Sequence, residues 1–124
     1  MEKFAYIALA GAAGTLARNG GGTLFQRDGV AGMPWGVFVA NMIGALLFGF
    51  IWAASEERGW ISENMRVIAL VGFMGAFTTF STLAFDNVQM ARASERGWFG
   101  ANMLLTNVGG LAAVYAGFRV ARVI

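Results

Sequence analysis

Hydrophobic positions in this chain fall into four long runs separated by short polar clusters. No charged residue occurs at positions 4–17, 29–55, 67–85 or 97–118. An α-helix needs about 20 consecutive apolar residues to cross a bilayer core. The first run continues to about Gly22, past Arg18, whose long stem can carry its charge toward the surface. The runs predict an all-α membrane protein with four transmembrane helices, at about 4–22, 34–54, 64–92 and 98–120. Four such spans leave room only for short loops, so residues 1–124 form a single membrane domain. Ala8-Leu9-Ala10 also has the form of a signal-peptidase site after a short apolar region. A first transmembrane helix that continues past it is the favoured reading.

The punctuation between runs agrees. Gly20-Gly21-Gly22 and Gln26-Arg27-Asp28-Gly29 predict a helix end and a loop. Pro34 suits the first turn of the second helix. Glu56-Glu57-Arg58-Gly59 is a second polar loop, Ser62 with Asn64 can start the third helix, and residues 92–97 form the third loop. Trp35, Trp52, Trp60 and Trp98 fall at span ends, where amphipathic rings anchor a protein at the membrane interface.

The third run differs from the others at its centre, Gly72-Phe73-Met74-Gly75-Ala76-Phe77-Thr78-Thr79-Phe80-Ser81-Thr82. Glycine is a weak helix former, and adjacent threonines are stiff β-branched residues. The third helix is therefore expected to break between Gly75 and Thr79. Backbone carbonyls freed at membrane depth must be buried in protein or line a cavity, and they are hard oxygen ligands for a small cation. A simple packing kink is the alternative.

Composition sharpens the class. Hydrophobic residues make up 57% of the chain and charged residues 13%, about half the charged share of a soluble domain. The 18 glycines and single proline fit helices that approach closely through small residues. Gly36, Ala40 and Gly44 form one such stripe, and Gly109, Ala113 and Gly117 another. Cysteine and histidine are both absent. That excludes disulfides, thiolate and imidazole catalysis, and the usual zinc or haem ligands. No nucleophile–base or acid pair is evident at membrane depth, so no enzyme is expected. The net charge of +2 comes without a basic run, which argues against nucleic acid.

Four spans put both termini on one side. That side then carries Lys3, Arg58, Arg66, Arg119 and Arg122, and the other Arg18, Arg27, Arg92 and Arg96. The bias that normally fixes orientation is almost missing. The chain is thus expected to insert both ways and to form an antiparallel, dual-topology homodimer, an inverted repeat built from two chains.

Isolated polar residues mark the candidate chemistry. Asn41 lies near the middle of the second span. Its amide needs either a partner on another helix or a polar path, and the residues alone leave both open. Asn102, Thr106 and Gly110 share one face of the fourth span.

These features together resemble the Fluc/CrcB family of fluoride channels, small four-span proteins that form antiparallel dimers. The similarity covers nearly the whole chain. It rests on Gly11-x-x-Gly14 with Arg18, on Gly36 with Asn41-x-x-Gly44, and on Gly110 with Gly117. The most specific piece is Gly72-x-x-Gly75-x-x-Thr78-Thr79-Phe80-Ser81-Thr82. The resemblance implies a passive, fluoride-selective channel of the cell (inner) membrane, multi-pass, that exports fluoride and lowers its cytoplasmic level. It implies a structural sodium ion at the dimer centre, held by the backbone carbonyls of Gly75 and Thr78. It places Asn41, Phe80, Ser81 and Thr82 on the fluoride pathway, with Asn102 and Thr106 as further path residues. Amide and hydroxyl donors can replace water around a small, tightly hydrated anion, and a phenyl ring offers it the positive edge of its quadrupole.

One departure stands out. Many family members carry a second phenylalanine three residues after the first, where this chain has Leu83. Phe85 cannot stand in for it, because two residues along a helix turn the side chain by about 200°. The partners implied are fluoride, membrane lipid and a second copy of the chain. A small multidrug-type proton-coupled transporter is the rival reading, but it needs a carboxylate deep in the first span, and the only acid near that span is Glu2. A non-transporting structural membrane protein is the other alternative.

Overall fold

The computed structural model describes residues 2–25 and 34–124, all helices, turns and caps, with no strand among them. Helix α1 spans Glu2–Phe25 and α2 spans Trp35–Glu56. The next helical stretch has three parts: α3 (Glu63–Val67), a π-helical segment (Ile68–Met74) and α4 (Gly75–Phe77). Then come α5 (Phe80–Arg92) and α6 (Arg96–Val123). Three stretches among the described residues are long and apolar enough to cross a bilayer: Trp35–Glu56, Glu63–Arg92 and Arg96–Val123. Helix α1 is 24 residues long, but Arg18 and Asn19 dilute its apolar character.

Two expected boundaries differ. Helix α1 does not stop at Gly22 but continues to Phe25, because glycines weaken a helix without ending it when the neighbouring turns hold. Gly75 is helical, with φ −59° and ψ −35°, so within the expected interval the extended, non-helical backbone is confined to Thr78 and Thr79. The expected loop Gln26-Arg27-Asp28-Gly29 lies outside the described residues. Pro34 stands just before α2, its carbonyl accepting the Phe38 N–H at 3.1 Å. Ser62 caps α3 by accepting the Met65 N–H at 3.2 Å.

Small residues set the packing. Gly36, Ala40, Gly44, Gly49, Ala53 and Ala54 are the buried positions of α2. Helix α6 lies against α2 at Gly49, where any Cβ would run into the Val114 backbone. A Cβ at Gly117 would likewise meet the Leu46 carbonyl, with the Phe50 nitrogen 2.6 Å away. Backbones this close gain dispersion contacts that compensate for the missing hydrophobic drive between helices in lipid. Helix α1 uses the same device against the third stretch. A Cβ at Gly72 would sit 2.8 Å from Ala10 Cβ and 2.9 Å from the Ile7 carbonyl.

Polar contacts tie the ends. At one end the Trp35 and Trp98 rings meet edge to face at 6.3 Å. At the other, Arg122 forms a two-pronged pair with Glu57, at 2.6 and 2.7 Å. Those hydrogen bonds hold the Glu57 carboxyl below its ordinary range. Arg58 donates to the Ile124 carbonyl at 3.1 Å, and Arg66 pairs with Glu56. The starts of α2 and α6 therefore lie together, as do their ends, and the two helices run parallel.

Candidate ion path at the Thr78–Thr79 break

The site grows from two consecutive threonines in extended conformation. Thr78 has φ −90°, ψ 157° and Thr79 φ −150°, ψ 122°. Each stabilises one side of the interruption. The Thr78 hydroxyl donates back to the Met74 carbonyl at 2.9 Å, closing the last turn before the break. The Thr79 hydroxyl caps α5 by accepting the Thr82 N–H at 3.2 Å, and it donates to the Thr82 hydroxyl oxygen at 3.1 Å. The π-helical turn leads into this point. The Gly75 N–H is shared between the Leu70 and Gly72 carbonyls, and such widened turns are often found beside functional sites.

Asn41 on α2 holds the irregular backbone. Its Oδ1 accepts the Thr79 N–H at 2.9 Å, and its Nδ2 donates to the Thr79 carbonyl at 3.3 Å. In an unbroken helix the Thr79 N–H would bond the Gly75 carbonyl, and the Thr82 N–H the Thr78 carbonyl. Both donors are engaged elsewhere, so these carbonyls lack the partners a continuous helix would provide. Gly75 is exposed on the chain. No group of three or more His, Cys, Asp or Glu among the described residues could hold a metal ion. Backbone carbonyl oxygens would be the ligands available to a hard cation at this position.

A groove of about 340 Å³ runs past the break, between α2 and α6. Asn41, Thr78, Thr79, Phe80 and Thr106 line it with Gly44 and Leu83, and its described lining contains no charged residue. Gly44 is required, because a Cβ there would collide with the Thr78 methyl. Phe80 opens α5 and is 81% exposed on the single chain. The break leaves two dipole ends back to back: carbonyls at the end of α4, and N–H groups at the start of α5 that favour an anion.

The structure thus brings Asn41, Phe80, Thr106 and the Thr78 backbone together. Ser81 is exposed and Thr82 half-buried; neither lines the groove, though both belong to the first turn of α5. Asn102 is also set back. It is 1% exposed and reaches the groove through Thr106, whose hydroxyl donates to Asn102 Oδ1 at 3.1 Å. The sequence reading missed Asn87, the buried residue that accepts from Asn102 Nδ2 at 2.9 Å. Its signal was positional: Asn87 lies one turn beyond Leu83, on the groove-facing side of α5.

Comparison with known proteins identifies the family. Residues 5–118 match the family model described as CrcB-like protein, Camphor Resistance (CrcB). A protein of Nitrosococcus oceani named fluoride-specific ion channel FluC is 47% identical over 123 residues, covering 99% of this chain and 98% of the relative. A protein of the same name from Solidesulfovibrio magneticus is 42% identical, covering 100% of this chain and 99% of the relative. One from Desulforapulum autotrophicum is 41% identical over 123 residues. With matches that span both the glycine-packed helices and the threonine break, the chain belongs to the CrcB family.

Proposed function

We propose that the chain forms a passive, fluoride-selective channel in the cell (inner) membrane, as a multi-pass protein that lowers cytoplasmic fluoride. It is a channel and not an enzyme. The observation that carries the reading is 47% identity, across 99% of the chain, to a protein named fluoride-specific ion channel. The uncharged groove beside the break is where that activity is assigned.

Fluoride is small and strongly hydrated, and an apolar groove would reject it without replacement donors. The first turn of α5 supplies backbone N–H groups and a positive dipole end. Ser81 and Thr82 add hydroxyls to the same turn. An amide NH2 has two donors, so Asn41 can hold the Thr79 carbonyl with one and offer the other to the ion. Phe80, on the groove wall, would offer the ion a ring edge. Thr106 completes the wall, with Asn102 behind it.

The assembly proposed is a four-span chain with a broken third helix, paired with an oppositely inserted copy. Support comes from the near-equal basic count on the two sides and from the exposure of Gly75 and Phe80, which a partner would cover. Sodium at the centre of that dimer would be held by the Gly75 and Thr78 carbonyls of both chains. When bound it supplies a fixed positive charge beside the anion path. Fluoride and chloride efflux from liposomes carrying the purified protein tests the reading: fluoride must leave far faster.

A further inference from the structure

Asn87 and Asn102 are the two buried polar side chains of the described core, 6% and 1% exposed. They belong to one hydrogen-bond chain. Thr106 Oγ1 donates to Asn102 Oδ1 at 3.1 Å, Asn102 Nδ2 donates to Asn87 Oδ1 at 2.9 Å, and Asn87 Nδ2 donates to Met103 Sδ at 3.2 Å. Its direction has a physical origin. A thioether sulfur can accept a hydrogen bond but has no proton to donate. The Asn87 face toward Met103 must therefore be its NH2, and the face toward Asn102 its carbonyl oxygen. Asn102 must then offer its NH2 to Asn87 and its oxygen to Thr106. Thr106, meeting an acceptor, turns its hydroxyl proton inward and leaves lone pairs toward the groove that it lines.

We propose that Asn87 is a positioning residue: with the Met103 sulfur it fixes the polarity of this chain, so that Thr106 faces the groove as an acceptor and not as a donor. The inference rests on the channel reading. For an anion in the groove, an inward-turned hydroxyl is a missing donor. Asn87 thereby limits how strongly this wall stabilises fluoride. Releasing Asn102 from Asn87 lets its amide turn over, donate to Thr106, and free the Thr106 proton for the ion.

The test is a double-mutant cycle on fluoride efflux from liposomes, with monodisperse elution recorded for every preparation. Asn87→Leu removes the acceptor for Asn102. Met103→Leu removes only the sulfur that orients Asn87, is close in volume, and alters a residue 43% exposed, so it stands in if Asn87→Leu fails to fold. Each should raise fluoride efflux about fivefold, the effect of about one net hydrogen bond. Both rises should vanish in a Thr106→Val background, because the freed proton is that of Thr106. A merely structural role for Asn87 would change efflux by the same factor in both backgrounds. That result, or unchanged efflux in the folded single variants, would overturn the inference while leaving a conducting parent protein. A parent protein with no fluoride efflux would overturn the channel reading itself.

Discussion

Asn41 and Thr79 are joined by two hydrogen bonds that run in opposite directions. The side-chain oxygen accepts the Thr79 N–H at 2.9 Å, and the side-chain nitrogen donates to the Thr79 carbonyl at 3.3 Å. An amide has the same donor and acceptor as a peptide group, so Asn41 stands where an adjoining strand or helical turn would otherwise serve. This pairing turns a pair of poor helix formers into a defined gap, which fixes both the groove wall and the orphaned Gly75 and Thr78 carbonyls.

Asn41→Ala should remove both bonds. A part-buried hydrogen bond contributes about 1 kcal/mol, and more when its partner is left unsatisfied. The variant should lose about 2 kcal/mol of stability and at least about tenfold of its fluoride efflux. Asn41→Asp should not rescue it, since a carboxylate facing the Thr79 carbonyl has no proton to donate. Thermal unfolding and efflux on one preparation check this, and parent-like values for Asn41→Ala would contradict it.

A weak point between Gly75 and Thr79 was legible in the sequence because its cause is local, two glycines followed by adjacent β-branched residues, and the extended backbone occupies only its last two positions, Thr78 and Thr79. What stabilises it was not. Asn41 is 38 positions away from Thr79 in the chain, and only the packing of α2 against the third stretch brings its amide to that backbone. The π-helical turn was invisible for a different reason. Moving a hydrogen bond from the fourth to the fifth residue is a small adjustment that residue types do not encode. Asn102 shows in the sequence as a polar position of the fourth span, but that it lies behind Thr106 does not, and its buried partner Asn87 follows the charged Asp86 near the end of the third stretch.

Phe80→Ile separates ring chemistry from packing. Phe80 is 81% exposed on its own chain, so the change removes little intrachain packing, and such apolar swaps usually cost under about 1.5 kcal/mol. What disappears is the quadrupole edge. Efflux should fall severely while elution as a folded assembly persists. Leu83, not a second phenylalanine, shares this groove wall from α5, so α5 itself offers no replacement ring there. Near-normal efflux would leave Phe80 as packing.

Glycines in this fold are expected to respond in opposite ways. Gly49→Ala places a methyl group into the Val114 backbone and should destabilise the α2–α6 crossing by about 1–3 kcal/mol. Gly97→Ala, where nothing lies within 4 Å, should be neutral or stabilising by up to about 1 kcal/mol. Thermal unfolding of both proteins in one detergent measures the contrast, and equal effects would contradict the packing described.

Dual insertion can be read from opposite ends of the third stretch and its loop. Single cysteines at Glu63 and Arg96, both exposed, should each be labelled only in part by an impermeant reagent added to intact cells. Complete labelling at one site with none at the other would mean a single orientation and no antiparallel pair.

The most direct test of passive fluoride conduction uses potassium-loaded liposomes containing the purified protein, a fluoride electrode outside, and valinomycin to release the counter-ion. A channel moves charge, so efflux cannot proceed far until potassium can follow. Fluoride should emerge rapidly on addition of valinomycin, and chloride from matched liposomes should not. Efflux that needs no counter-ion pathway, or equal release of the two anions, would contradict the account.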